Sequence, residues 1–283
     1  MAADDESTLD LAEQAARLAI DDAGLEAGDI GEIVLATDTP EVYTPDTASL
    51  LQDRLGCGNI PSFDLGGSGC AGFVQALDVA RARIMLHGRP ILVVGVELPL
   101  RMLDWTDRNT VVLFGDGAGA VVMAAEGGRA TLLDAVAGTD GSQAHILTLV
   151  TGGTRRPFGP EALETGSYMK LEMNGRQVFR EAVRRMSSAV DEVLERIDRS
   201  PGDVALVVPH QANMRIIDAV RQHMDLTVEQ VFVNVDQYGN TGSASVPLAM
   251  SQAVADGRIR EGDLVVLTAF GAGFHWAAAA LQF

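Results

Sequence analysis

Apolar and polar positions follow two different periods along the chain, and each change of period marks an element. Residues 8–23 (TLDLAEQAARLAIDDA) place apolar side chains at helical spacing, and Gly24 supplies the stop. Glu32–Thr37 (EIVLAT) is a short apolar run, the pattern of a strand buried on both faces. Residues 45–55 read as a helix ending at Gly56, and Pro61–Leu65 as a brief strand. Gly66-Gly67-Ser68-Gly69 then leads into a helical pattern over Cys70–Leu86. Pro90–Val96 (PILVVGV) predicts another buried strand. Thr110–Phe114 and Ala118–Ala124 predict two strands around the turn Gly115-Asp116-Gly117.

The second half runs similarly. Arg176–Ile197 predicts a long amphipathic helix, Ala205–Pro209 a strand, Ala212–Met224 a helix and Val231–Val235 a strand. Gly239-Asn240-Thr241-Gly242 opens a helix to about Asp256, and Asp263–Ala269 and His275–Gln282 close the chain as strands. In each half a buried strand, a helix and a short strand precede a glycine turn that places one polar residue at a helix start. Those residues are Cys70 and Asn240. The repeat is one of pattern, with slight sequence identity between halves. Alternating strands and helices define an α/β protein with mixed, mainly parallel sheets covered by helices. The division expected is a first half over residues 1–137, an irregular connection over 138–170 and a second half over 171–283. A connection that long is often functional.

Composition narrows the classes. The 283 residues are 47% hydrophobic and only 5% aromatic, with 30 glycines, which suits tight packing of small side chains. With 21 Lys plus Arg against 39 Asp plus Glu, the net charge of -18 disfavours nucleic acid and anionic membrane surfaces as partners. Met1 is followed by Ala-Ala-Asp-Asp-Glu, without the basic start and apolar core of a signal peptide, and no apolar run reaches spanning length. A cytoplasmic protein is expected. Two cysteines without a CxxC pair, and five histidines without ligand spacing, suggest neither a disulfide framework nor a metal site.

Cys70 stands out in Gly67-Ser68-Gly69-Cys70-Ala71-Gly72-Phe73. Glycines before a helix permit a sharp turn and close approach of a ligand. A thiol at a helix N-terminus faces the positive end of the dipole, which favours the thiolate nucleophile. The plain alternative is a small core cysteine, and Cys57 is read that way. His210 follows a buried strand in Val208-Pro209-His210-Gln211, where parallel α/β sheets bind ligands. A hydrogen-bonded structural histidine is the alternative. Asn240 could equally be a turn or cap residue. Cys, His and Asn brought together would define a nucleophilic arrangement. Gly115-Asp116-Gly117-Ala118-Gly119 resembles a dinucleotide loop, but the segment after it reads as a strand, so a tight turn is the better account. Arg180, Arg184 and Arg185 on one helix, and Arg215 and Arg221 on another, would suit an acidic or phosphate-bearing partner if they are not simply a solvated surface.

With these residues in place, the chain resembles β-ketoacyl-acyl carrier protein synthase III. The likeness rests on SGCAGF at Cys70, DRNTVVLFGDGAGA at residues 107–120, VPHQANMRII at 208–217, YGNTGSASVP at 238–247 and FGAGFHW at 270–276. It implies a homodimeric thiolase-like fold in a layered αβαβα arrangement. Cys70 would carry the acyl group from an acyl-CoA. His210 and Asn240 would stabilise the enolate formed as malonyl-acyl carrier protein loses carbon dioxide. The backbone N–H groups of Cys70 and Ala272 would form the oxyanion hole, with Phe270 near the cysteine. Arg108 and Asn213 would line the coenzyme A channel, and Arg180 and Arg215 would meet the carrier protein. No metal or cofactor is called for beyond the thioester substrates.

Two departures from the family accompany the resemblance. Its members carry roughly fifty more N-terminal residues, enough for one further βα segment. That segment supplies an aromatic and an arginine that clasp adenine, so the sequence is expected to be incomplete at this end. Ala272 replaces a common glycine but keeps the N–H. The alternatives are a related condensing enzyme of secondary metabolism, using another acyl donor or acceptor, and a non-catalytic partner subunit.

Overall fold

The computed structural model describes residues 1–169 and 171–283. In chain order its strands are β1 (Glu32–Ala36), β2 (Ser62–Leu65), β3 (Ile91–Glu97), β4 (Gly117–Met123), β5 (Thr131–Thr139), β6 (Leu147–Leu149), β7 (Leu171–Met173), β8 (Leu206–Pro209), β9 (Leu264–Gly271) and β10 (His275–Gln282). Its helices are α1 (Thr8–Asp22), α2 (Thr47–Leu55), α3 (Gly72–His87), α4 (Arg108–Val111), α5 (Pro160–Glu164), α6 (Gly175–Arg196), α7 (Met214–His223), α8 (Val235–Tyr238) and α9 (Ser245–Ala255). The helix starts were encoded locally. Ser7 caps α1 in a reciprocal box with Asp10, Asp46 caps α2, and Asn213 caps α7 by accepting the Ile216 N–H at 3.1 Å.

Two four-stranded sheets, ordered β2-β1-β3-β4 and β5-β10-β9-β8, form the body, and β6 pairs β7 separately. The first sheet is mainly parallel, with β4 antiparallel to β3. In the second only β8 and β9 are parallel, because β10 turns back on β9 through a short connection.

Period-two alternation sorts the buried strands into three cores. Ile33 and Leu35 of β1 face α1 and α2, whereas Val34 and Ala36 face α3 and α9. In β9, Val265, Leu267 and Ala269 face the same central helices, while Val266 and Phe270 face α6 and α7. The run Ala277–Ala280 on β10 serves both faces in turn, its small side chains letting helices approach from each side. The result is the expected αβαβα layering, with α3 and α9 sandwiched between the sheets.

Three expectations need correction. Thr110–Phe114 is not a strand. Its residues turn through α4 and leave the sheet, so that Leu113 and Phe114 run beside Asn240. Val231–Val235 makes only a single bridge, Val231 to Val207, before α8 begins. Gln211 Oε1 accepts the N–H groups of Asn234 (2.9 Å) and Val235 (3.2 Å) and draws that backbone out of the ladder. Residues 131–137, expected in the first half, lie in β5 of the second sheet, against β10. The connection after it is partly ordered as β6, α5 and β7.

Candidate active site

The fold brings the carboxyl ends of β1, β3, β8 and β9 to one cavity of about 780 Å³, with mostly apolar walls. Cys70, His210, Asn240, Phe270 and Ala272 all line it. Cys70 sits in a turn of 3₁₀ helix, Gly69–Ala71, that runs into α3. Gly69 has φ +54°, and a β-carbon there would lie 2.6 Å from the Ala272 nitrogen. A β-carbon on Gly271 would lie 2.6 Å from the Cys70 nitrogen. These two glycines let the Cys70 loop and the end of β9 touch backbone to backbone, with the Cys70 and Ala272 nitrogens at the contact.

Asn240 is held by its own backbone. Its N–H donates to Leu113 O at 2.7 Å, and its C=O accepts the Gly115 N–H at 3.0 Å. Gly115 is required, since a β-carbon there would fall 2.0 Å from Tyr238 O. The glycines of the rejected dinucleotide motif therefore make room for the Asn240 loop, with Gly117 and Gly119 packing on Leu248 and Pro247 of α9. The Asn240 Oδ1 atom accepts the Gly242 N–H at 2.9 Å and lies 3.8 Å from Cys70 Sγ. His210 is fixed by its N–H to Thr268 O at 2.7 Å, and its ring is buried.

Electrostatics reverses one expectation. Burial, followed by the negative charges of Glu97 and Asp38, pushes the Cys70 thiol up to about 12, against the smaller help of Asn240. At rest Cys70 is therefore the thiol and not the thiolate, because desolvation and two carboxylates outweigh the start of α3. Burial alone takes His210 down to about 3, so its imidazole is neutral. Nδ1 of that ring has no hydrogen-bond partner among the described residues.

The remaining predicted residues divide. Asn213 lines the cavity while capping α7, and Arg215 lines it with its guanidinium 5.9 Å from the Phe179 ring. Arg108 and Arg180 do not line it. Arg108 is exposed on α4, and Arg180 faces solvent 3.4 Å from Glu181. Glu181 also pairs with Arg184, and Arg185 lies 3.2 Å from Asp140 and over Trp276. Cys57 is buried between α1, α2 and the first sheet, as a core cysteine. The sequence reading missed Arg176 at the mouth, and Asp38 and Glu97 within the cavity. The signal for the last two was an acidic residue immediately after a buried strand run. Among the described residues no His/Cys/Asp/Glu group could hold a metal ion, and no helix is long and apolar enough to cross a membrane.

A thiol and an amide in contact beside a neutral imidazole, between two layered α/β halves, define a condensing acyltransferase of thiolase-like fold. Residues 63–141 match the family model for 3-oxoacyl-[acyl-carrier-protein (ACP)] synthase III, and residues 194–283 match the model for its C-terminal part. A β-ketoacyl-[acyl-carrier-protein] synthase III of Roseiflexus sp. (strain RS-1) is 45% identical over 98% of this chain and 83% of that protein. The crystal structure of the Thermus thermophilus synthase III is 43% identical, with TM-score 0.89 over 100% of this chain and 86% of that one. That of Aquifex aeolicus VF5 is 38% identical, with TM-score 0.90 over 99% and 86%. The chain belongs to the β-ketoacyl-acyl carrier protein synthase III family, and it is an initiating condensing enzyme of fatty acid synthesis.

Proposed function

We propose that this enzyme transfers an acyl group from an acyl-CoA to Cys70 and condenses it with malonyl-acyl carrier protein. The observation that carries the assignment of roles is the 3.8 Å approach of Cys70 Sγ to Asn240 Oδ1 in the cavity that His210 shares. In the first step the Cys70 sulfur bonds to the acyl carbonyl carbon, the bond to the CoA sulfur breaks, and the thiol proton leaves with CoA. The N–H groups of Cys70 and Ala272 bind the developing oxyanion.

In the second step the malonyl thioester carbonyl sits against His210 and Asn240. Because Asn240 Oδ1 already accepts from Gly242, its NH₂ group is the one left to donate. A neutral His210 donates a second hydrogen bond without carrying charge. As the carbon–carboxylate bond breaks, its electron pair enters the enolate and carbon dioxide departs. The enolate carbon attacks the acyl-Cys70 carbonyl. Collapse of that intermediate expels the sulfur, which takes one proton from solvent, the proton this decarboxylative condensation consumes, and returns as thiol. Charge is delocalised onto one oxygen facing two donors, so this route calls for no metal or organic cofactor.

Asn213 and Arg215 are proposed at the coenzyme A and carrier-protein ends of the cavity mouth, with Arg108 and Arg180 as outer contacts. A cytoplasmic homodimer is part of the same reading, supported by the family resemblance. The test is intact-protein mass after incubation with a panel of acyl-CoAs, with Cys70→Ser and Cys57→Ser alongside. One acyl mass should appear on the wild type and on Cys57→Ser, and none on Cys70→Ser. No gain with any CoA ester from folded protein would overturn the acyl-CoA donor.

A further inference from the structure

The turn Ala272–Phe274, which carries the Ala272 N–H, joins β9 to β10 and is held by a third strand. Phe274 exchanges backbone hydrogen bonds with Asp140, just past the end of β5. The Asp140 N–H donates to Phe274 O at 2.9 Å, and the Phe274 N–H donates to Asp140 O at 3.3 Å. The Phe274 side chain is buried against Phe270, ring centroids 4.8 Å apart. One residue on, His275 pairs with Thr139 in the β10–β5 ladder, and the two side chains meet. Thr139 Oγ1 lies 2.9 Å from His275 Nδ1. The end of β5 therefore grips the turn through backbone and side chain together.

Gly273 stands between these fixed points. Its φ of +114° belongs to glycine, the residue with the widest backbone freedom. The His275 ring fills the space a side chain would take there. A β-carbon on Gly273 would lie 2.2 Å from Cδ2 and 2.4 Å from Nε2 of the imidazole. The ring thus lays its Cδ2–Nε2 edge on the Gly273 backbone and offers Nδ1, on its opposite edge, to Thr139. Ala272, one residue before Gly273, meets the Cys70 loop on its other side, at Gly69. Neither His275 nor Thr139 lines the cavity, so any effect on the chemistry passes through the turn.

We propose that His275 and Thr139 are positioning residues that brace the Gly273 backbone and so aim the Ala272 N–H at the acyl oxygen. The hydroxyl orients the ring, the ring limits the glycine, and the glycine fixes the plane of the peptide that follows Ala272. A donor in an oxyanion hole works only when it already points to where charge develops, so freedom at Gly273 weakens it. The inference rests on the proposed roles of Cys70 as nucleophile and Ala272 as oxyanion donor.

The test compares two reactions of Cys70 in a Cys57→Ser background, each followed by intact mass. Acylation by acetyl-CoA, and by p-nitrophenyl acetate, which needs no CoA recognition, passes through an oxyanion. Alkylation by iodoacetamide forms a carbon–sulfur bond as iodide leaves and makes no oxyanion. His275→Ala should slow acylation roughly tenfold to a hundredfold and leave alkylation within about threefold. Thr139→Val should slow acylation about threefold to tenfold, and Thr139→Ser, which keeps the hydroxyl, should stay within about twofold of the parent. The His275→Ala/Thr139→Val double variant should be no slower than His275→Ala, because Thr139 acts through the ring. Acylation at the parent rate in His275→Ala, equal losses in acylation and alkylation, or losses that multiply in the double variant overturn the proposal. If His275→Ala does not fold, Thr139→Val against Thr139→Ser decides, and equal rates for those two overturn it. These expectations met with p-nitrophenyl acetate, without acylation by acetyl-CoA in any protein, sink the acyl-CoA donor and leave the brace standing. Acylation by neither ester, with alkylation intact, overturns both.

Discussion

Asn240 turns its side-chain oxygen toward Cys70, 3.8 Å from Sγ, while the same oxygen accepts the Gly242 N–H at 2.9 Å. A backbone N–H can meet only an acceptor, so this contact fixes which way the amide points. The NH₂ group is then available where a thioester carbonyl would bind. Asn240→Ala should acylate Cys70 at near the normal rate and lose condensation by roughly a hundredfold to a thousandfold, the usual effect of removing one oxyanion donor. Mass spectrometry reads the first step and product formation the second. Full condensing rate in the variant would remove Asn240 from the mechanism.

The meeting of Gly69 and Gly271 makes a steric prediction. Gly271 is extended, so alanine there brings no backbone strain, only a β-carbon 2.5 Å from Ser68 O and 2.6 Å from the Cys70 nitrogen. The loop must retreat, and the two proposed oxyanion donors separate. Gly271→Ala should lower the Cys70 acylation rate by about a hundredfold. Gly28→Ala, where nothing lies within 4 Å, should leave it unchanged. Equal rates for both variants would show that the two backbones need not touch.

Arg215 is exposed at the cavity mouth and Arg180 stands outside it beside Glu181. In a protein of net charge -18, an acidic carrier must find a local positive surface. Arg215→Glu should raise KM for malonyl-carrier protein at least tenfold at low salt and leave acylation by a small acyl-CoA within about twofold. Arg180→Glu should do less, because a carboxylate already faces it. The measurement is KM for each substrate across ionic strength. An unchanged carrier-protein KM in Arg215→Glu would direct docking to another face.

How much of this site was legible follows from which interactions are local. That Cys70, His210 and Asn240 are candidates for one cavity could be read because each directly follows a strand or stands just before a helix, a placement that hydrophobic period reveals. The layered fold could be read because β1, β3 and β9 are buried on both faces. The strand expected over Thr110–Phe114 failed because its apolar residues serve a long-range contact. They leave the sheet to hold Asn240, and no local period encodes a partner more than a hundred residues away. Val231–Val235 failed for a similar reason, since Gln211 captures its amides. The thiolate expected at Cys70 considered only the helix start. Asp38 and Glu97, which reverse that expectation, sit at the ends of two other strands and meet Cys70 only in three dimensions.

The neutral state of His210 has a consequence for stability as well as for hydrogen bonding. An imidazole held neutral down to about pH 3 must gain a proton on unfolding anywhere between that pH and its ordinary 6.5. In that window the unfolded chain binds more protons, so the contribution is complete above pH 6.5 and is lost as pH falls toward 3. Between pH 7 and pH 5 the loss from this one residue is about 2 kcal/mol. Glu97 and Asp38 act in the opposite sense, because acids with raised values bind their protons more tightly in the folded state. The total pH slope therefore mixes the two signs, and the diagnostic quantity is a difference between proteins. His210→Gln removes the imidazole, so its urea-unfolding free energy should fall less than that of the wild type between pH 7 and pH 5, by about 2 kcal/mol. Parallel falls in the two proteins would mean that the native imidazole is already protonated at pH 5. A charged ring could not then serve as the uncharged donor that the proposed enolate step requires.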